Sequence, residues 1–497
     1  MINDITCNLA SLDPYIPTAS NPWNVQKIHH LYRRIAFGAS KSEVTAALSQ
    51  NDPSALVDQL IDDAISLLPT TAPAWGYWVN EDFENAPEKT GFYRKEGKKT
   101  MVREILQNKV RERMTLFWSN HFVTEDDVIG SPAYQYQYYN LLQYHAVRNF
   151  RDFVYDIGIS APMLVYLNGD ENTKGRPNEN YARELYELFT LGVDNGYTED
   201  DIIQTAKALT GWVEKNDVGG GPITFNAAKF SNDTKTIFGQ TGNWGYDDVI
   251  TILFTQRTEL IAKFICGKLY RYFVSPTSSE VIVDAMAQTL IASNFDIAPV
   301  LRELFKSEHF FNEEAIGVII KSPCDLHPSF YNEVSFTLTT QTDLEDYYVN
   351  TFKVLGQDVL NPYDVAGWQG DEDWISPDLL IGRWESIRYV SNRAWNHDQN
   401  QFSDFLIGLP IGALADGTLT ASTDDVELVV RTITNYFFSR GITDPVIFIE
   451  ALGIFKGDSV PENYYEDGTW TLSYPDVANQ FYTLLDYISE IPEFQLK

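Results

Sequence analysis

From Trp23 onward, apolar residues recur at three- and four-residue spacing, and that period most constrains the fold. It is evident over 54–67 (SALVDQLIDDAISL), 101–122, 137–157, 178–191, 258–273, 280–292, 423–438 and 475–490. Start signals agree with it. Asp52-Pro53 precedes the first segment, Ser422 or Thr423 the seventh, and Pro475 with Asp476 opens the last. Thr198 with Asp201 has the form of a capping box. Gly, Asn and Trp concentrate in 211–247, which reads as a long excursion with a short hairpin, and a second loop-rich stretch covers 361–380. The expected fold is mainly α: a large multi-helix domain with long aromatic-rich loops and at most a small β-hairpin. Residues 1–22 read as an N-terminal tail or docking strap and 23–400 as a helical core domain. Residues 401–497 read as a C-terminal helical region packed on that core.

Charge narrows the function. There are 37 Lys+Arg against 69 Asp+Glu, a net charge of −32. So acidic a surface repels nucleic acid, whose binding draws its affinity from Lys and Arg contacts, and anionic membranes for the same reason. With 44% hydrophobic and 14% aromatic residues, the charge does not signal disorder. The opening MINDITCNLASLDPYIPTAS has neither a basic start nor an apolar run, so no secretory signal is read there. The longest apolar run, 405–415, is broken by Gly408, Pro410 and Gly412 and is too short to span a membrane. The default location is therefore cytoplasmic. Cys7, Cys266 and Cys324 are scattered, without disulfide or zinc-ligand spacing.

The most informative stretch runs from 160 to 212. On a helix opened by Pro177, Glu179, Asn180, Arg183, Glu184 and Glu187 share one arc of about 140°. Tyr181, Ala182, Leu185, Leu188 and Phe189 form the opposite apolar stripe. A carboxylate beside others has a raised pKa and can act as general acid, while one beside Arg stays ionised. The same residues would equally make i,i+4 ion pairs on a solvated face. In the preceding loop, Asn168, Asp170, Asn172 and Glu179 fall at positions one, three, five and twelve of a calcium loop. Thr173 stands where such loops need Gly, and Gly175 where they are apolar, so a polar turn is the competing account.

His121 continues the stripe of Leu106, Val110, Met114 and Phe117. It reads either as a buried histidine bonded to a carbonyl or as a base or metal ligand meeting the carboxylate face. His145 carries weaker evidence, and His29 and His30 beside Arg33 and Arg34 read as partners of the acidic excess. No HExxH, GxSxG, P-loop or dinucleotide fingerprint is present, and there is no nucleotide or haem signature.

A series of blocks appears in order: HLYRRIAFGAS (30–40), MTLFWSNHF (114–122), NFRDFV (149–154), PMLVYLN (162–168), PNENYARELYELFTLGV (177–193), YTEDDIIQTAKALTGW (197–212), KLYRYFV (268–274), KSPCDL (321–326) and NPYDVAGWQGDEDWIS (361–376). Together they resemble the bacterial domain-of-unknown-function 1800 family over residues 25–390. The resemblance implies a mainly helical fold and brings no settled activity. Three departures stand out. Where the family usually reads Phe-Trp-His-Asn-His-Phe, this chain has Ser119, Asn120 and His121. Where a His-Asp pair usually precedes a lysine, it has Asn232 and Asp233 before Lys235. Where two prolines and a lysine usually precede Gly-Trp, it has Asn361, Pro362 and Ala366 before Gly367 and Trp368. If those histidines carried metal or protons, this member has altered chemistry.

Two classes of function follow. In the first, the protein is a hydrolase. Glu184 or Glu187 is general acid or base, Arg183 orients a polar group and His121 assists. Asn178, Asn180, Trp212, Trp244 and Trp368 would hold substrate, with glycoside cleavage as one reaction that uses paired carboxyls. In the second, it is a non-catalytic binding or assembly protein whose polar face is an ion-pair network and whose aromatic loops meet a protein partner.

Overall fold

The computed structural model describes residues 11–214, 219–338, 341–412 and 417–497. Cys7, the first ten residues of the tail and the end of the 405–415 apolar run lie outside the described residues. Among those described there are 24 α-helices and two two-stranded antiparallel sheets, so the mainly α expectation is met. Buried side chains between Tyr15 and Phe494 form one large core cluster, and Phe83, Tyr93 and Ala133 form a small second one. No helix among the described residues is long and apolar enough to cross a membrane.

The helix Val25–Ile35 lies at the centre of this core and is buried on every face, its histidines and arginines included. Buried charge is tolerated only when it is paired and hydrogen-bonded. Arg33 forks onto Glu333 at 2.6 and 2.9 Å and donates to the Tyr436 carbonyl at 3.0 Å. Arg34 has no such carboxylate among the described residues and donates to the carbonyls of Phe273, Val274 and Ala315. Burial, reinforced by these arginines, drives His29 and His30 well below their ordinary pKa, so both are neutral. His30 bonds the Phe310 carbonyl at 2.9 Å, a partner different from the acidic one read from sequence.

Three segments read as single helices are divided. The 101–122 period spans Thr90–Gln107 and Lys109–Ser119, broken at Asn108, whose amide turns back to Glu104 at 2.6 Å. The 137–157 period spans Pro132–His145 and Phe150–Gly158, because Asn149 caps the second by accepting from the Arg151 and Asp152 amides. The 178–191 segment is α over Asn180–Glu184 and π over Leu185–Thr190, with Leu191 N–H reaching the Tyr186 carbonyl five residues back.

The 211–247 excursion holds two strand pairs rather than one. Trp212–Glu214 pairs with Ile223–Phe225, and Lys235–Ile237 with Gln240–Gly242. Phe238 and Gly239, both at positive φ, make the two-residue turn of the second. Phe238 accepts that conformation because its ring is buried against Tyr186 and Arg257, and its N–H donates to Asp201 at 2.7 Å. At the other end of the chain, Tyr15 N–H donates to the Lys306 carbonyl and Glu308 N–H to that of Asp13, which docks residues 13–15.

Candidate functional site

A cavity of about 420 Å³ opens where four separated stretches converge. The end of helix Lys109–Ser119 contributes Phe117 and His121, and helix Thr258–Phe273 contributes Lys268, Arg271 and Tyr272. The start of helix Pro323–Val334 supplies Asp325, and the 361–376 loop supplies Ala366, Trp368, Asp371 and Trp374. Its size falls in the range that holds small molecules.

The loop is held to the wall by Asn120. Its amide accepts from Trp368 N–H at 2.6 Å and donates to the Trp368 carbonyl at 2.9 Å. Gly367 precedes at φ +78°, where a Cβ would collide with Asn120 itself, so only glycine lets the loop approach this closely. The two tryptophans are thereby packed into the wall, Trp368 5% and Trp374 7% exposed.

His121 is 2% exposed, and its Nε2 lies 3.0 Å from the Phe189 carbonyl. A carbonyl only accepts, so Nε2 carries the proton and Nδ1 is left with its lone pair, which has no partner among the described residues. Burial, and next the charge of Lys268, holds the ring neutral. This is the buried, carbonyl-bonded histidine of the first reading, set in a cavity wall.

The cavity's charges are unevenly satisfied. Asp325 is gripped by Arg113 on one oxygen and by Lys497 Nζ at 2.6 Å on the other, and these cations hold it far below the usual carboxylate range despite burial. Burial pulls Lys497 down to about 7 against the opposing pull of Asp325. Asp371 accepts from Ile320 N–H at 3.5 Å, and burial pushes its carboxyl up. Lys268, by contrast, makes no hydrogen bond or ion pair with any described residue. Its ammonium lies over the Phe264 ring at 5.4 Å, and burial, then Arg271, draws its pKa down to about 8. Arg271 donates to Ser278 at 3.2 Å and has no ion-pair partner among the described residues.

The polar face read from sequence lies elsewhere. Arg183 gathers Glu179 at 3.6 Å, Glu187 at 3.2 Å and also Glu199, a partner from the next helix that helical spacing alone did not indicate. Glu184 stands apart, half-buried and without a hydrogen-bond partner among the described residues. Burial, then Glu187, raises its pKa. Neither Glu184 nor Glu187 lines the cavity, although His121 joins the two regions through Phe189. Asn178 accepts from Asn180 N–H at 2.9 Å, and the Asn180 amide reaches Asn168 at 3.3 Å. Trp212 is half-buried against Phe225 and Tyr246, and half-buried Trp244 donates to the Gln240 carbonyl. Of the tryptophans singled out as substrate-binding, Trp368 lines the cavity and these two do not.

In the 168–179 loop, Asn172 is buried and turned inward. It donates to the Ala206 carbonyl at 2.9 Å and accepts from Asn178 N–H at 3.0 Å. Asp170 is half-buried and its pKa raised, first by burial. Among the described residues no group of three or more His, Cys, Asp or Glu is placed to hold a metal ion.

A family described as "Protein of unknown function (DUF1800)" matches residues 30–496. The chain belongs to that family. No curated protein and no solved structure matches it. Four blocks that carry the DUF1800 resemblance, MTLFWSNHF, KLYRYFV, KSPCDL and NPYDVAGWQGDEDWIS, supply most of the cavity wall, to which Gln357 and Lys497 add. Ala366, in the last of these blocks, is part of that wall. Asn120, Lys268 and Arg271 were not singled out from sequence. The signal available was the pair of basic residues three apart in KLYRYFV.

Proposed function

We propose that this DUF1800 protein binds a small organic anion with an aromatic or apolar body in the 420 Å³ cavity. The observation that carries the reading is Lys268: a cavity-lining ammonium with no counter-ion among the described residues, in a protein of net charge −32 with acidic groups in excess. Withholding a partner from a partly desolvated cation costs stability, and an incoming carboxylate relieves that cost. Arg271 adds a second positive group, and Trp368 and Trp374 offer apolar surface to the ligand's body. Phenyllactate is a suitable probe, with 3-phenylpropanamide as its uncharged control. Phenyllactate at about a hundred times its Kd stabilises by roughly 2.7 kcal/mol and so raises the melting temperature, whereas the amide does not. Equal shifts with both, or none with either, would refute the reading.

A second reading rests on Glu184. A half-buried carboxyl without a hydrogen-bond partner among the described residues, its pKa raised by burial and Glu187, suits a general acid in a hydrolase acting on carbohydrate. Its test is hydrolysis of aryl glycosides by wild type and Glu184→Gln. Loss of at least a hundredfold in kcat with folding intact supports it, and no turnover by wild type rejects it.

A further inference from the structure

Lys268 and Arg271 lie three residues apart on the helix Thr258–Phe273, so their side chains share one face, and both line the cavity. Two cations so placed match a ligand with a carboxylate next to a second electron-rich oxygen. An α-oxo acid has that arrangement, and its carbonyl carbon is also an electrophile. We propose that Lys268 condenses with the carbonyl of a small oxo acid in this cavity, forming an imine while Arg271 holds the carboxylate. This rests on the anion-binding reading above and adds a covalent step to it.

The chemistry balances without an oxidant or reductant. The neutral Nζ lone pair attacks the carbonyl carbon, and the C=O π pair moves to oxygen, which takes a proton. The carbinolamine then loses that oxygen as water, and one C=N bond replaces the C=O bond. The step needs an unprotonated amine at neutral pH. A lysine at about 8 carries roughly 300 times more neutral amine at pH 7 than an ordinary one. Among the described residues no carboxylate or carbonyl ties up Nζ, which lies over the Phe264 ring in the cavity wall. Trp368 and Trp374 line the same cavity, next to the two cations.

The test uses the full chain with phenylpyruvate and sodium cyanoborohydride, read by intact mass and peptide mapping, with phenyllactate melting shifts in parallel. Wild type is expected to gain one reduced adduct on Lys268. Lys268→Met loses that adduct by at least tenfold. Lys268→Arg keeps the phenyllactate shift but forms no adduct, which separates a lost nucleophile from a lost fold. If phenyllactate shifts the melting temperature but no adduct forms, or adducts map equally to other lysines in Lys268→Met, the imine is overturned and anion binding stands. If neither ligand acts, both are overturned.

Discussion

Asn120 and Trp368, distant in sequence, bind each other through both ends of one amide: Trp368 N–H to Oδ1 at 2.6 Å and Nδ2 to the Trp368 carbonyl at 2.9 Å. This pair closes a loop, whose one regular turn among the described residues is the 3-10 helix Asp371–Trp374, onto the end of a helix, and so builds one wall of the cavity. Asn120→Ala leaves both backbone groups of buried Trp368 without these partners, a loss of about 1–3 kcal/mol in urea unfolding. Gly367→Ala is expected to lower stability too, because its φ of +78° disfavours a side chain and the added Cβ meets Asn120.

Lys268 gives a pH-dependent prediction. Its folded pKa, about 8, lies below the unfolded value near 10.4, so between these pH values the unfolded chain holds the extra proton. Wild-type stability attributable to this group therefore rises with pH across that window. Lys268→Met, which removes the desolvated ammonium, is expected to be more stable than wild type at pH 7 by on the order of 1–3 kcal/mol. The advantage shrinks as pH approaches 10. Thermal melts of both proteins across pH 7–10 check the sign.

Arg33 and Glu333 form a buried pair at the centre of the core. Glu333→Ala strands a guanidinium and should cost about 3–5 kcal/mol, measured by chemical unfolding. A surface pair such as Lys263–Asp284, half-exposed on both sides, should leave stability nearly unchanged when broken.

Asn172 ties the 168–179 loop to the Ala206 carbonyl and the Asn178 amide. Asn172→Ala should lower the melting temperature, and excess calcium chelator should leave the wild-type value unchanged. A fall with chelator would place a calcium ion in the loop.

Much of the helical architecture was legible because burying one stripe of a helix imposes a 3.6-residue period on the sequence. That period says nothing about interruptions that keep apolar residues in phase. The break at Asn108 and the π turn over Leu185–Thr190 depend on local hydrogen bonds, so both hid inside continuous patterns. The Arg183 ion pairs to Glu179 and Glu187 could be read from i,i+4 spacing, but the third, to Glu199, comes from packing of the next helix. Lys268 was illegible for a related reason. In sequence it resembles any helix-surface lysine, and what distinguishes it is the counter-ion that tertiary neighbours fail to provide.

Titration calorimetry of phenyllactate against wild type and Lys268→Met, at low and high salt, tests the anion-binding cavity most directly. Wild type should bind with an affinity that weakens as salt rises, and the variant at least tenfold more weakly, a difference of about 1.4 kcal/mol. Equal dissociation constants for the two proteins would contradict the assignment of Lys268 as the anchor.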